Sequence, residues 1–127
     1  MKNLVTGGAG FIGSHIIEKI LLSGEDVICI DDLSSGNFLN IEKLDKNPRF
    51  TFIKEDIANY IDLKVNKIWH LACPASPVYY QANPIKTTKT LFLGTLNMLA
   101  LTKKYKSKIL IASSSEIYGT PLEHPQK

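Results

Sequence analysis

Val5-Thr6-Gly7-Gly8-Ala9-Gly10-Phe11-Ile12-Gly13 is the stretch that decides the fold. An apolar segment, Leu4-Val5, runs into glycines spaced Gly7-x-x-Gly10-x-x-Gly13, and an amphipathic segment follows. This is how a dinucleotide phosphate is held. Gly7 allows the tight strand-to-helix turn, Gly10 lets the backbone approach the pyrophosphate, and Gly13 lets helix and strand pack closely. The helix N-terminus, with Phe11 and Ile12 in its first turn, offers free N–H groups and a partial positive charge. Glycine-rich turns are also common structural features, so the context matters. The second apolar segment, Asp26-Val27-Ile28-Cys29-Ile30, ends in Asp31, 18 residues after Gly13. An acidic residue about 20 residues on is where the adenosine ribose hydroxyls are held. No Gly-Lys-Ser/Thr follows the glycines, which excludes the phosphate-loop kinase pattern.

The length of 127 residues fits one domain, 1–127, with a sizeable core. A hydrophobic content of 44% against 21% charged residues excludes a disordered chain. The formal charge of +3 is too small to argue for nucleic acid. The one lysine cluster, Lys103, Lys104, Lys106 and Lys108, reads as the solvated end of a helix. No apolar run is long enough to span a membrane. The first strand begins almost at once, leaving no room for a signal peptide. Cys29 and Cys73 fit no metal spacing, so a reduced, cytoplasmic, metal-free protein is expected.

Strands are predicted at 2–6, 26–30, 50–54, 66–72 and 108–113. The first, second and fifth are continuously apolar, as in strands covered on both faces. The first helix carries Ile12, Ile16, Ile17, Ile20 and Leu21 at helical spacing and ends at Ser23-Gly24. Residues 32–48 form a polar loop with a short helical stretch at 41–44. Residues 73–84, with Pro74, Pro77 and Pro84, read as a loop, and a long helix covers 85–105. Alternating strands and helices imply an α/β fold: a Rossmann-type, doubly wound parallel sheet of about five strands in the order 3-2-1-4-5. A ligand then lies beyond the carboxyl ends of the strands, where the order reverses. The glycine loop, Asp31, Glu55-Asp56-Ile57, His70–Cys73 and Ser113–Tyr118 all fall at those ends. Leu91, Phe92, Leu93, Leu96, Met98, Leu99 and Leu101 cover more than one face of the long helix. One face packs on the sheet; the other is left for a partner or for loops of this same chain.

The glycine loop, Asp31-Asp32-Leu33-Ser34-Ser35-Gly36 and Ser113-Ser114-Ser115-Glu116-Ile117-Tyr118-Gly119 resemble the extended short-chain dehydrogenase/reductase family of nucleotide-sugar epimerases, dehydratases and decarboxylases. The stretch His70-Leu71-Ala72-Cys73-Pro74-Ala75-Ser76-Pro77 is more specific. With Tyr80-Gln81, residues 83–87, Gly94-Thr95-Leu96-Asn97-Met98-Leu99 and residues 121–126, it resembles the UDP-glucuronic acid decarboxylase branch of that family.

The resemblance implies an NAD-dependent reaction on UDP-glucuronate. The sugar C4 hydroxyl is oxidised, carbon dioxide leaves from the resulting β-keto acid, and the ketone is reduced again to UDP-xylose with no net redox change. It assigns Gly7, Gly10, Phe11, Ile12, Gly13, Asp31, Asp32, Asp56, Ile57, Leu71 and Ala72 to the cofactor. Asp31 would bind the ribose, Asp56 and Ile57 the adenine, and Leu71 and Ala72 the nicotinamide side. Ser114 matches the catalytic Ser/Thr that hydrogen-bonds the C4 oxygen, and Glu116 a carboxylate near C5. Ser115, Pro77, Tyr80 and Gln81 would contact the sugar. The residues alone leave other roles open: Asp56 as the cap of a turn, His70 as a satisfied core histidine, Tyr118 as a packing residue, the serine triplet as a turn.

The family's general base is a tyrosine in Tyr-x-x-x-Lys. Here only Tyr60 has a lysine four residues on, Lys64, on a loop. Leu91 and Thr120 replace the family's usual Asn and Asp. The resemblance therefore implies the cofactor half of such an enzyme, short of the tyrosine-lysine helix and the substrate domain. A homo-oligomer or a complementing chain would complete it through the helix at 85–105. The alternatives are a non-catalytic NAD-binding module, or a 4,6-dehydratase or 4-epimerase of the same family.

Overall fold

Leu4 and Val5 are neighbours, both fully buried, and each belongs to a different hydrophobic core. Successive strand residues point to opposite faces, so a strand with no exposed face must lie in the middle of a covered sheet. That strand is β1 (Lys2–Thr6). The computed structural model describes residues 1–120 and 122–125; the side chains of Ser115 and Glu116 lie outside that description.

Four more strands follow: β2 (Asp26–Asp31), β3 (Phe50–Lys54), β4 (Lys67–His70) and β5 (Lys108–Ile111). All pairings are parallel and the order is β3-β2-β1-β4-β5, as predicted. Val5 sits opposite Cys29 on one side and Trp69 on the other. Helix α1 (Phe11–Leu22) covers one face, where Ile17, Ile20 and Leu21 pack on Val5, Val27 and Cys29. The loop after β2 makes two 3-10 turns, Phe38–Asn40 and Glu42–Leu44, and drops Ile41 between them into this same core. On the other face Leu4, Ile30 and Ile68 pack against Met98 and Leu101 of α4 (Thr95–Tyr105).

Four expectations change. Residues 73–84 are not all loop: α2 (Pro77–Ala82) lies within them, because proline at the first helical position starts a helix rather than breaking it. The long helix is continuous but not uniformly α. It runs as α3 (Pro84–Lys89), a π turn at Thr90–Gly94, and then α4. Ile12 is outside the core, 64% exposed, since the first turn of α1 projects past the strand ends. The fifth strand is not covered on both faces. It lies at the sheet edge, with Leu110 and Ile111 each more than two-fifths exposed.

Candidate functional site

At the carboxyl ends of the strands, where the order reverses between β1 and β4, the loops surround an open cleft. Gly7 and Gly10 line it from the β1–α1 turn, and Asp31, Asp32 and residues 34–36 from the end of β2. Glu55, Asp56 and Ile57 follow β3, residues 71–74 follow β4, and Thr90 comes from the π turn.

The β1–α1 turn needs its glycines for two separate reasons. Gly7 has φ +70°, and a Cβ there would stand 2.9 Å from the Ala72 backbone. At Gly13 a Cβ would run into the Gly7 carbonyl oxygen and the Gly8 backbone. The first bond inside α1 is Ser14 N–H to the Gly10 carbonyl, 3.0 Å. The amides of Phe11, Ile12 and Gly13 therefore precede the helical ladder. Gly10 is the N-cap and brings no capping side chain, and the first turn holds no acid. An anion can approach those amides directly, so the turn fits a pyrophosphate.

Asp31 is buried and ties the glycine loop to β2. Its Oδ2 accepts from Ala9 N–H (3.0 Å) and its Oδ1 from Leu33 N–H (2.8 Å). Burial pushes its carboxyl above the ordinary 3.8; the two amide bonds pull it down and neighbouring Asp32 pushes it up. Each oxygen keeps a lone pair for a further donor. Asp32 Oδ1 accepts from the Ser34 amide (2.9 Å) and hydroxyl (2.6 Å), and its Oδ2 pairs with Lys86 Nζ of α3 at 2.6 Å. Partial burial pushes the Asp32 carboxyl up, but Lys86 and Ser34 outweigh it and hold the group below its usual value.

Asp56 takes the turn-bracing place that its sequence allowed, at the edge of the cleft. It lines the cleft, and its Oδ1 accepts from Ala58 N–H at 2.9 Å, bracing the turn after β3. Ile57 is buried in the core behind that turn. Asn97 of α4 holds the turn by donating to the carbonyls of Ile57 and Asn59, both at 2.9 Å. Under the cleft, His70 is a core histidine. Its Nδ1 meets Thr6 Oγ1 at 2.8 Å and its Nε2 meets Thr95 Oγ1 at 3.1 Å. Burial lowers its pKa from the ordinary 6.5, which keeps the ring neutral.

Not every expected site residue lines this cleft. Gly13 packs against the Gly7 and Gly8 backbone, and Phe11 and Ile12 are exposed; none of the three is among the lining residues. Pro77, Tyr80 and Gln81 lie on α2 and are exposed. Ser114 follows β5, is exposed and is engaged in an interaction. The side chains of Ser115 and Glu116 lie outside the described residues. Cys73 and Pro74, from the stretch at the end of the fourth strand, line the cleft, and so does Thr90, which is not among the expected site residues. The signal available for Thr90 is a polar residue directly before the apolar run Leu91-Phe92-Leu93; the structure buries it. Among the described residues no three His, Cys, Asp or Glu side chains converge as metal ligands. No helix among them is long and apolar enough to cross a membrane.

The family described as GDP-mannose 4,6 dehydratase matches residues 4–127. UDP-glucuronic acid decarboxylase 1 of Arabidopsis thaliana is 52% identical over 127 residues, covering 100% of this chain and 29% of that protein. UDP-glucuronic acid decarboxylase 6 of the same plant is 49% identical over 127 residues, covering 99% and 37%. The UDP-N-acetylglucosamine 4-epimerase of Methanobrevibacter ruminantium M1 superposes with a TM-score of 0.85 at 32% identity, over 99% of this chain and 42% of that one. The dTDP-glucose 4,6-dehydratase of Streptomyces venezuelae, solved with NAD bound, superposes at 0.82 and 29% identity, over 97% and 42%. The chain thus spans between 29% and 37% of the length of these two plant relatives.

Proposed function

The chain belongs to the GDP-mannose 4,6 dehydratase family, and on that premise we propose that it is the NAD-binding portion of a UDP-glucuronate decarboxylase-like enzyme of nucleotide-sugar metabolism. The observation that carries the NAD reading is that the glycine turn leading into the uncapped start of α1, through Gly7 and Gly10, lines one cleft with the buried carboxylate of Asp31. Half identity to decarboxylases over the whole chain supports the choice of reaction. NAD, when bound, supplies a hydride acceptor for the sugar C4 and a donor for the return step.

The chain's own residues bind and orient. The α1 amides take the pyrophosphate, and the free lone pairs of Asp31 accept from the adenosine ribose hydroxyls. Asp56 and Ile57 flank the adenine, Asp32 closes the ribose side, and Leu71 and Ala72 wall the nicotinamide side. Ser114 hydrogen-bonds the C4 oxygen of the sugar and fixes it for hydride loss. Glu116 serves near C5, and Ser115, Pro77, Tyr80 and Gln81 hold the sugar. With C4 a ketone, the carboxylate is β to it, so the electrons of the breaking bond flow into the carbonyl as carbon dioxide leaves.

The C4 hydroxyl proton needs a base. Tyr60 and Lys64 lie on the exposed segment between β3 and β4, away from the cleft lining. A tyrosine-lysine pair therefore comes from a further segment or from a second chain. The apolar face of Leu91, Phe92, Leu96 and Leu99 is the surface on which that companion packs. The substrate is a nucleotide sugar once the site is complete.

Calorimetric titration of the purified chain with NAD+ tests the reading. Saturable binding that Asp31→Ala abolishes is the expected result. A folded chain that takes up no NAD+ would overturn it.

A further inference from the structure

The cleft's charged lining is acidic throughout: Asp31, Asp32, Glu55 and Asp56. Among the described residues, Lys86 is the only cation in a salt bridge with any of them. Its ammonium lies 2.6 Å from Asp32 Oδ2, and it is 38% exposed on a long flexible stem. The Asp32 bond holds its pKa above the ordinary lysine value, and Asp56 adds a weaker attraction. Asp32 is itself aimed by two bonds from Ser34, so the carboxylate that grips the lysine is fixed in place. A cation beside the ribose is what accommodates a 2′-phosphate, and a carboxylate there rejects one.

We propose that the Asp32–Lys86 pair sets cofactor selectivity: Asp32 holds the one cation that is salt-bridged to the cleft's carboxylates among the described residues, so a 2′-phosphorylated dinucleotide meets a lining of carboxylates and a lysine already engaged. This rests on the reading of the cleft as an NAD site. Asp31 rejects the 2′-phosphate directly; Asp32 does so by occupying the group that would otherwise welcome it.

The experiment is calorimetric titration with NAD+ and NADP+ of the wild-type chain, D32N and D32N/K86M, each checked for a cooperative thermal melt. Asp32→Ser replaces D32N if the latter does not fold. Release of Lys86 in D32N is expected to lower the ratio Kd(NADP+)/Kd(NAD+) about tenfold, the size of one charge interaction of about 1.4 kcal/mol. Removing the lysine as well is expected to restore the wild-type ratio. An unchanged ratio in D32N overturns the proposal. So does a gain that persists in D32N/K86M, which would reflect relief of repulsion alone. If the wild-type chain binds no NAD+, the reading of the cleft fails and this inference fails with it. NAD+ binding with an unmoved ratio sinks the inference and leaves the reading standing.

Discussion

His70 stands between Thr6 and Thr95 with both ring nitrogens engaged, and burial keeps it neutral. Its folded pKa lies below 6.5, so the unfolded chain takes up a proton first as pH falls. Stability is therefore lost on acidification below about 6.5, until the folded state protonates too. Asp31 has the opposite sign: its folded pKa is raised, so its contribution improves as pH falls, but only nearer the carboxylate range. The expected outcome is a lower urea midpoint at about pH 5.5 than at about pH 7.5, with the difference much reduced in His70→Asn. Equal midpoints in the wild-type chain would contradict a neutral His70. Asp31 must be ionised to serve as a pure acceptor for ribose hydroxyls. NAD+ affinity is thus expected to decline at a pH above the ordinary aspartate value of 3.8, read by titration across that range.

At the scale of elements, the cleft is held together by close backbone approaches and by one side chain from α4. Gly13→Ala would push a methyl into the Gly7 carbonyl and the Gly8 backbone, neither of which can swing aside. Overpacking of this kind costs about 1–3 kcal/mol, outweighing the gain of about 1 kcal/mol from alanine's helix preference. A lowered Tm and weakened NAD+ binding are expected together; a variant as stable as the parent would show that the turn can yield. Asn97→Ala removes two hydrogen bonds to the turn after β3. At about 1 kcal/mol each, the loss is expected to appear in a denaturant midpoint. Loosening of that turn is also expected to raise the Kd for NAD+ while leaving the β1–α1 turn intact.

Across the whole molecule, the cores are complete on both faces of β1 and β2, while the β5 side is left apolar and uncovered. Along one helical stretch Leu91 is 47% exposed, Phe92 64%, Leu96 48% and Leu99 43%. Single exposed apolar residues are ordinary, but this many in one region point to a missing neighbour. Sedimentation of the purified chain is expected to report self-association, and Phe92→Lys with Leu96→Lys is expected to shift it to monomer. Stability should change by less than about 0.5 kcal/mol, since neither side chain is buried. A wild-type chain that stays monomeric at every concentration would mean that another segment, not a second copy, covers this face.

The sheet and its order were legible in the chain because they rest on local signals: apolar runs of strand length, glycines at fixed spacing, and an acidic residue at the end of the second run. Those signals survive without tertiary context, since backbone sterics and burial on both faces dictate them. The same holds for His70, whose place at the end of a buried strand made it a core residue. What the chain alone left open was decided by contacts between distant segments. The turn capped by Asp56 is a local matter, but its anchorage to Asn97 spans some 40 residues of sequence and has no local pattern. The π turn at Thr90–Gly94 depends on Gly94 fitting against Ile57, a packing fact. The pairing of Asp32 with Lys86 is likewise invisible until α3 is folded against the end of β2. Propensity and periodicity determined which elements form and in what order. Only packing between elements decided which side chains face one another across the cleft.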